Sequence, residues 1–131
     1  MDNELMIFTQ MHDEFIEDWN LAMQSGDTSK LERMAEHYYV AFFMGAKDKP
    51  AFYNREEAMN GMRLSVNELL GAEKKFKNRV IRLKDTNHAV VFYELLIEKD
   101  DKVLARLFTI ENWQLINGQW LLVREIEEQV N

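Results

Sequence analysis

The sequence predicts an α+β fold in which three N-terminal helices, the first of them long, precede a mostly antiparallel sheet. Two observations support it. Apolar residues recur every three or four positions before Gly71, as in helices, and every second position after it, as in strands. Helices followed by strands that short turns connect are typical of the α+β class. For 131 residues we expect one domain, residues 1–131.

The first helix is predicted from an apolar stripe. Steps of three and four residues place its members on one face of a helix. Asp2 or Asn3 can cap the start, and Gly26 is expected to end the helix. The members of the stripe are Phe8, Met11, Phe15, Trp19 and Met23.

A short second helix is predicted where Ser29 and Glu32 have the spacing of a capping box. Its buried side would consist of Leu31, Met34 and Ala35. The next stretch, "YYVAFFMG", is aromatic and β-branched and predicts a short buried strand that ends at a glycine. Residues 45–53 include the only proline, Pro50, and are interpreted as a loop.

The third helix is predicted to begin where Asn54 and Glu57 repeat the capping-box spacing, and to end at Gly71. Its apolar face would consist of Ala58, Met59, Met62, Val66, Leu69 and Leu70.

Four strands are predicted after Gly71: "KKFKNRVIRLK", "HAVVFYELLIE", "VLARLFTIENWQLI" and "WLLVREIEEQ". Between the last two, Asn117-Gly118 is a strong signal for a two-residue hairpin turn. With that turn, Glu111 would lie opposite Arg124. A slip of one residue would separate the pair and reverse every side chain.

Composition and charge exclude several classes of protein. There is no cysteine, so disulfides and cysteine metal sites are excluded. A net charge of −7 argues against nucleic-acid binding. The N-terminus is acidic where a signal peptide is basic, and no apolar run approaches the roughly 18 residues of a membrane span. We therefore expect a cytoplasmic protein that binds neither nucleic acid nor membranes.

Metal and cofactor motifs are missing as well. There is no glycine-rich phosphate loop, and no histidine has a partner at metal-ligand spacing. We therefore predict no metal and no cofactor. His12, His37 and His88 are interpreted as structural or surface residues, although His88, at the start of a strand, is the histidine best placed to act as a base.

Three segments of the chain carry a family resemblance. "DWNLAMQSGDTSKLE" has the pattern aromatic-x-x-A-x-x-x-G-D-x-x-x-L at the end of the first helix. "YNREEAMNGM" is similar to G-x-E-x-I at the start of the third helix, with Asn54 in place of glycine. "FTIENWQLINGQW" is similar to a T-x-x-W strand with a G-x-W hairpin. Together they resemble the nuclear transport factor 2-like superfamily, whose relatives include SnoaL-like polyketide cyclases and ketosteroid isomerases.

The resemblance implies a homodimer of cone-shaped domains, each with a curved sheet around the long helix and an apolar pocket. It also implies where isomerase residues would lie. The oxyanion-binding tyrosine would be at Trp19, whose indole N–H donates a hydrogen bond but cannot tune acidity as a phenol can. The catalytic aspartate would be at Phe42 or Phe43, and the second acid near Thr109. We therefore predict no activity of the ketosteroid isomerase type.

The candidate ligand-binding residues divide into apolar and polar groups. Rings and methionines would form an adaptable apolar wall, and Glu111 with Arg124 would orient a carboxylate or carbonyl group. The alternatives are that the apolar residues are core and that the charged pair is a cross-strand ion pair on an outer face. The full set is Trp19, Met23, Phe42, Phe43, Met62, Thr109, Glu111 and Arg124. We expect Trp19 to face the interior beside Met23, Phe42 and Met62.

The segment "EKKFKNRVIRLK" gathers six basic residues in an acidic protein. Lysines that protect an edge strand explain it, and a patch for an anion or an acidic partner is the alternative. The six residues are Lys74, Lys75, Lys77, Arg79, Arg82 and Lys84.

The predicted function is binding of a small apolar molecule, with or without a carboxylate or carbonyl group, by a homodimer. One alternative is a SnoaL-like enzyme that transfers protons as a cyclase, dehydratase or isomerase, with His88 or Glu111 as the base. Another is an oligomerisation module, like the association domain of calcium/calmodulin-dependent kinase. We expect dimerisation through the outer face of the sheet. One side of the second predicted strand is entirely apolar, and a second subunit would cover it. That side consists of Ala89, Val91, Tyr93, Leu95 and Ile97.

Overall fold

The fold has two helices and one curved six-stranded sheet in the computed structural model, which describes residues 2–43 and 49–130. The sheet has the strand order β2-β1-β6-β5-β4-β3, in which β1 pairs with β6 in parallel and the other four neighbouring pairs are antiparallel. The α+β class is therefore confirmed. The elements are α1 (Asp2–Ser25), β1 (Met34–Phe43), β2 (Ala51–Asn54), α2 (Arg55–Glu68), β3 (Glu73–Asp85), β4 (His88–Lys99), β5 (Lys102–Ile116) and β6 (Gln119–Gln129).

Helix α1 follows the predicted stripe, with Phe8, Phe15 and Met23 all buried. It ends at Gly26, whose N–H donates to the Ala22 carbonyl at 2.7 Å with φ at +83°. This left-handed conformation favours glycine. Neither helix in the described part of the chain combines the length and apolar composition needed to cross a membrane.

The predicted second helix is wrong. Only a single 3₁₀ turn forms, at Ser29–Leu31, and the strand β1 has already begun at Met34. Glu32 accepts hydrogen bonds from the Thr28 hydroxyl and from Arg63 instead of completing a capping box. Tertiary pairing therefore overrides a local signal, because Met34 lies opposite Leu122 of β6.

The predicted loop at 45–53 contains the short strand β2, which pairs with β1. The glycine expected to end β1, Gly45, lies outside the described residues. The capping box that opens α2 is confirmed. Asn54 Oδ1 accepts from the Glu57 N–H, and Glu57 Oε1 accepts from the Asn54 N–H, both at 2.9 Å.

The last four strands agree with the prediction to within one residue at each end. The hairpin turn is also confirmed, since Ile116 pairs with Gln119 around Asn117-Gly118. A bulge beyond Trp113 then changes the register, so that Arg124 lies opposite Asn112 and Glu111 lies opposite Glu125. The predicted Glu111–Arg124 pair is wrong because a bulge places one extra residue in one strand.

The apolar side of β4 lies inside the molecule, at most 6 % exposed, and not on the outer face as predicted. Its residues belong to the core that α1 also forms. The outer face nevertheless carries exposed apolar side chains of its own. Val80, Phe108 and Ile110 are each at least 39 % exposed.

Candidate functional site

A cavity of about 400 Å³ lies between α1, α2 and the inner face of the sheet. Its size and mostly apolar walls are those of small-molecule sites. Helix α1 contributes Phe15, Trp19 and Met23, and α2 contributes residues such as Met62 and Val66. The two helices and the sheet thus leave space between them where a closed core would otherwise lie.

Four of the eight predicted ligand-binding residues lie together in the cavity wall: Trp19, Met23, Phe42 and Met62. The Trp19 ring packs edge-on against Phe15, with 6.4 Å between ring centroids, and is half-buried. The two interpretations of Trp19 therefore coexist, since one ring packs against the core and borders the cavity.

The other four lie outside the cavity wall. Phe43 follows Phe42 in the strand, faces the opposite side and is 40 % exposed. Arg124 is exposed and donates to Asn112 Oδ1 at 2.5 Å. Thr109 and Glu111 are buried beneath the wall, and no described group accepts or donates a hydrogen bond at Thr109 Oγ1.

Glu111 is the centre of a buried polar cluster, which we call the closed cluster: His12, Tyr93, Glu111 and Trp113. Trp113 Nε1 donates to Glu111 Oε1 at 2.9 Å, and the Tyr93 hydroxyl donates to Oε2 at 2.6 Å. His12 Nε2 lies 2.8 Å from Oε1. Each of His12, Glu111 and Trp113 is at most 1 % exposed, so water cannot replace these bonds.

Arg79 determines the proton arrangement of the closed cluster. Its Nη1 lies 3.1 Å from His12 Nδ1, and its Nη2 donates to Asp13 at 2.6 Å. A guanidinium only donates, so Nδ1 must accept and the His12 proton sits on Nε2, where it is donated to Glu111. Glu111 then receives three hydrogen bonds, so both of its carboxyl oxygens are engaged with protein donors.

A second polar group borders the cavity, and we call it the open cluster: Tyr38, Lys74, Glu125 and Glu127. The Tyr38 hydroxyl donates to Glu125 Oε1 at 2.6 Å. Burial, and then the nearby Glu127 and Glu111, raise the pKa of Glu125 well above its usual range. Burial likewise raises the pKa of Glu127, against the opposing effect of Lys74. Both carboxyls are therefore shifted towards their neutral, proton-donating form.

Lys74 stands apart from the other lysines of β3. Its Nζ lies 3.4 Å from the centroid of the Trp19 ring. Among the described residues, Lys74 Nζ makes no hydrogen bond and has no carboxylate oxygen within 4.0 Å. Burial lowers the pKa of Lys74 to about 8. A lysine amine thus borders a mostly apolar cavity, in contact with the Trp19 ring and without a hydrogen-bond acceptor from the described residues.

The open cluster was missed in the sequence analysis. Lys74 and Arg79 were grouped with residues that protect the edge strand. Strand β3 is indeed at the edge of the sheet, but these two side chains reach inwards. The available signal was the spacing of Glu125 and Glu127, which places two acids on one face of a strand. His88 does not belong to the cavity wall. Its half-exposed ring forms a hydrogen bond with Asp85 instead.

Within residues 2–43 and 49–130, no three histidine or acidic side chains come together as a group that could hold a metal ion. The expectation that the protein uses no metal and no cofactor stays a prediction.

Known proteins resemble this chain in structure and not in sequence. No family model matches it, and no curated protein matches it. A nuclear transport factor 2-like protein of unknown function from Pseudomonas putida has a TM-score of 0.69, with 11 % identity over 91 % of this chain and 84 % of that one. The chain has a nuclear transport factor 2-like fold.

Two further structures with this fold have enzyme names. A protein proposed to be a scytalone dehydratase from Novosphingobium aromaticivorans has a TM-score of 0.69, with 14 % identity over all of this chain and 89 % of that one. A protein proposed to be a ketosteroid isomerase from Parabacteroides distasonis has a TM-score of 0.59, with 17 % identity over 88 % and 85 %. At such identities the likeness shows the nuclear transport factor 2-like fold alone, as the sequence motifs predicted.

Proposed function

We propose that the protein binds a small, mostly apolar molecule in the cavity and directs one oxygen-bearing group of that molecule to Lys74. The observation that carries the proposal is the Lys74 amine, which borders a mostly apolar cavity and makes no hydrogen bond or ion pair with a described residue. The Lys74 side chain is half-buried, so a ligand that displaces water from the cavity must itself offer the amine a hydrogen-bond partner, because leaving a polar group unpaired costs free energy. A ligand oxygen would supply the missing partner.

The neighbours of Lys74 favour a carbonyl or carboxylate group. An ammonium only donates hydrogen bonds, and a carboxyl group with a raised pKa donates one as well. Lys74, Glu125 and Glu127 therefore offer donors to an acceptor oxygen. Met23 and Met62 provide flexible apolar contacts for the rest of the molecule.

A second candidate function is proton transfer on the bound molecule. Carboxyls with raised pKa values in an apolar cavity are typical of general acids and bases. Glu125 and Glu127 border the cavity, whereas neither Glu111 nor His88, the bases predicted from sequence, belongs to its wall. The dehydratase and isomerase names of structural neighbours are consistent with this candidate function. Its test is the measured conversion of a bound substrate into product.

The binding proposal is tested with three probes that share one skeleton: naphthalene, 2-acetylnaphthalene and 2-naphthoic acid. Calorimetry should show that one or both oxygen-bearing probes bind at least tenfold more tightly than naphthalene, or about 1.4 kcal/mol. Lys74→Met should remove that preference. The control is Lys75→Met, because Lys75 lies on the same strand and pairs with Glu98 at 2.9 Å.

Two results would contradict the proposal. One is that no probe binds. The other is that all three bind equally well to the parent and to Lys74→Met.

We further propose that the protein is a homodimer formed through the outer face of the sheet. Val80, Phe108 and Ile110 are exposed there, and the sequence resemblance implies a dimer. Light scattering at tens of micromolar should give twice the mass of the monomer for the parent protein. The Ile110→Asp variant should give the mass of a single monomer. A monomeric parent protein would contradict this proposal and leave the cavity proposal unaffected.

A further inference from the structure

We propose that Lys74 Nζ attacks the carbonyl carbon of an aldehyde or ketone in the cavity and forms a reversible covalent imine. The inference rests on the proposed binding function and extends it from recognition of a carbonyl oxygen to a reaction at the carbonyl carbon. It concerns a residue that the sequence alone assigned to an edge strand.

Helix α1 holds Lys74 at two points. Asn20 Oδ1 accepts from the Lys74 N–H at 3.0 Å, and Asn20 Nδ2 donates to the Lys74 carbonyl at 3.2 Å. The preceding residue, Trp19, places its ring 3.4 Å from Nζ. The backbone and the side-chain tip are thus both fixed relative to the cavity, and such positioning favours reaction with a bound molecule.

The amine is also free to react. An ion-paired lysine has its lone pair occupied by a proton, as at Lys75, where Glu98 raises the pKa. Lys74 Nζ contacts the Trp19 ring but makes no hydrogen bond or ion pair with a described residue, and burial lowers its pKa to about 8. Desolvation of this kind is how a lysine becomes a nucleophile near neutral pH.

The reaction balances with groups already at the site. The Nζ lone pair forms the C–N bond while the carbonyl π bond breaks, and one of the two Nζ protons moves to the oxygen to give a carbinolamine. The carbinolamine hydroxyl then leaves as water after receiving a proton from a carboxyl of Glu125 or Glu127. The nitrogen gives up its proton to the resulting carboxylate, which restores the carboxyl group. The net change is amine plus carbonyl to imine plus water, with no oxidant or reductant.

The chemistry restricts the substrate class. An amine condenses with an aldehyde or ketone, whereas an unactivated carboxylic acid only forms an ion pair with it. The apolar walls select a carbonyl on an aromatic or aliphatic skeleton, and the cavity of about 400 Å³ limits its size.

The test is reductive trapping with 2-naphthaldehyde and sodium cyanoborohydride at pH 7, which converts an imine into a stable secondary amine. Mass spectrometry of the intact protein and of its peptides should find Lys74 modified at least tenfold faster than any other lysine. Lys74→Arg keeps the charge and should lose this modification. Lys75→Arg, on the same strand, should leave it unchanged.

The pH dependence provides a second readout on the unaltered protein. The carboxyls of Glu111, Glu125 and Glu127 act on Lys74 and oppose the effect of burial. An amine with a pKa of about 8 is already partly neutral at pH 7 to 8, whereas exposed lysines become neutral near pH 10.4. The preference for Lys74 over Lys75 should therefore be greatest near pH 7 to 8 and should decrease towards pH 10.

The outcomes separate the two proposals. If the naphthalene probes show the Lys74-dependent preference but Lys74 is trapped no faster than other lysines, the imine is wrong and the binding proposal stands. If the probes do not bind and nothing is trapped at Lys74, both are wrong. Because the peptide comparison uses the parent protein, the result holds even if Lys74→Arg fails to fold.

Discussion

The closed and open clusters contain acids that lie opposite each other, Glu111 on β5 and Glu125 on β6. Glu111 receives hydrogen bonds from His12, Tyr93 and Trp113. Glu125 receives one, from Tyr38, and its pKa is raised well above its usual range. Two glutamates at opposite positions of neighbouring strands therefore differ in the number of protein hydrogen bonds that they receive, three against one.

This difference indicates different roles. In the closed cluster every polar atom of Glu111 is engaged with protein, so the cluster rigidifies the core beneath the cavity. In the open cluster the Lys74 amine makes no hydrogen bond or ion pair with a described residue, and the acids face the cavity. Polar atoms that border the cavity and can still form hydrogen bonds are the ones available to a ligand.

The largest expected difference is between Trp113, a member of the closed cluster, and Trp19, which contacts Lys74 of the open cluster. Trp113→Ala should destabilise the protein by about 5 kcal/mol, since its ring is 1 % exposed and its N–H is bonded to Glu111. Trp19→Ala should cost about 2–3 kcal/mol because one side of that ring borders the cavity. Urea unfolding followed by circular dichroism measures both. Equal losses would indicate that Trp19 is as tightly packed as Trp113.

The paired acids provide the next test. Glu111→Leu leaves three buried donors without an acceptor and should cost about 3–5 kcal/mol. Glu125→Leu leaves only the Tyr38 hydroxyl unpaired and should cost about 1 kcal/mol or less. Urea unfolding at pH 7 compares the two variants directly. The comparison fails if Glu125→Leu is the more damaging change.

The smallest expected effect is the pH dependence of stability at Glu125. A carboxyl whose folded pKa is raised stabilises the fold below its unfolded pKa, and that contribution is lost as pH rises through the folded value. The parent should therefore lose stability relative to Glu125→Gln as the pH rises above about 4, the unfolded pKa of a glutamate. The amide can still accept the Tyr38 hydrogen bond. Glu128→Gln, at an exposed position on the same strand, should show no such trend in thermal unfolding, and a flat difference for Glu125→Gln would refute the raised pKa.

Sequence reasoning succeeded where a few neighbouring residues decide the conformation. The stripe of α1 and the Asn54–Glu57 capping box depend on side chains within about one or two helical turns of each other. The hairpin at Asn117-Gly118 depends on two residues that tolerate positive φ. The α+β class follows from these local patterns, because the spacing of apolar residues and the turn residues can be recognised in the sequence without knowing any tertiary contact.

Tertiary structure alone decided the polar site. The bulge beyond Trp113 turns Glu125 inwards and Arg124 outwards. The alternation of apolar residues in the sequence does not reveal a single extra residue in one strand. The helix expected at Ser29 gave way to β1, which begins at Met34 and pairs with both β2 and β6. Lys74 became a cavity residue because Asn20 and Trp19, more than 50 positions away in the chain, hold it there. A charge is exposed or buried according to what packs around it, and only the folded chain determines those neighbours.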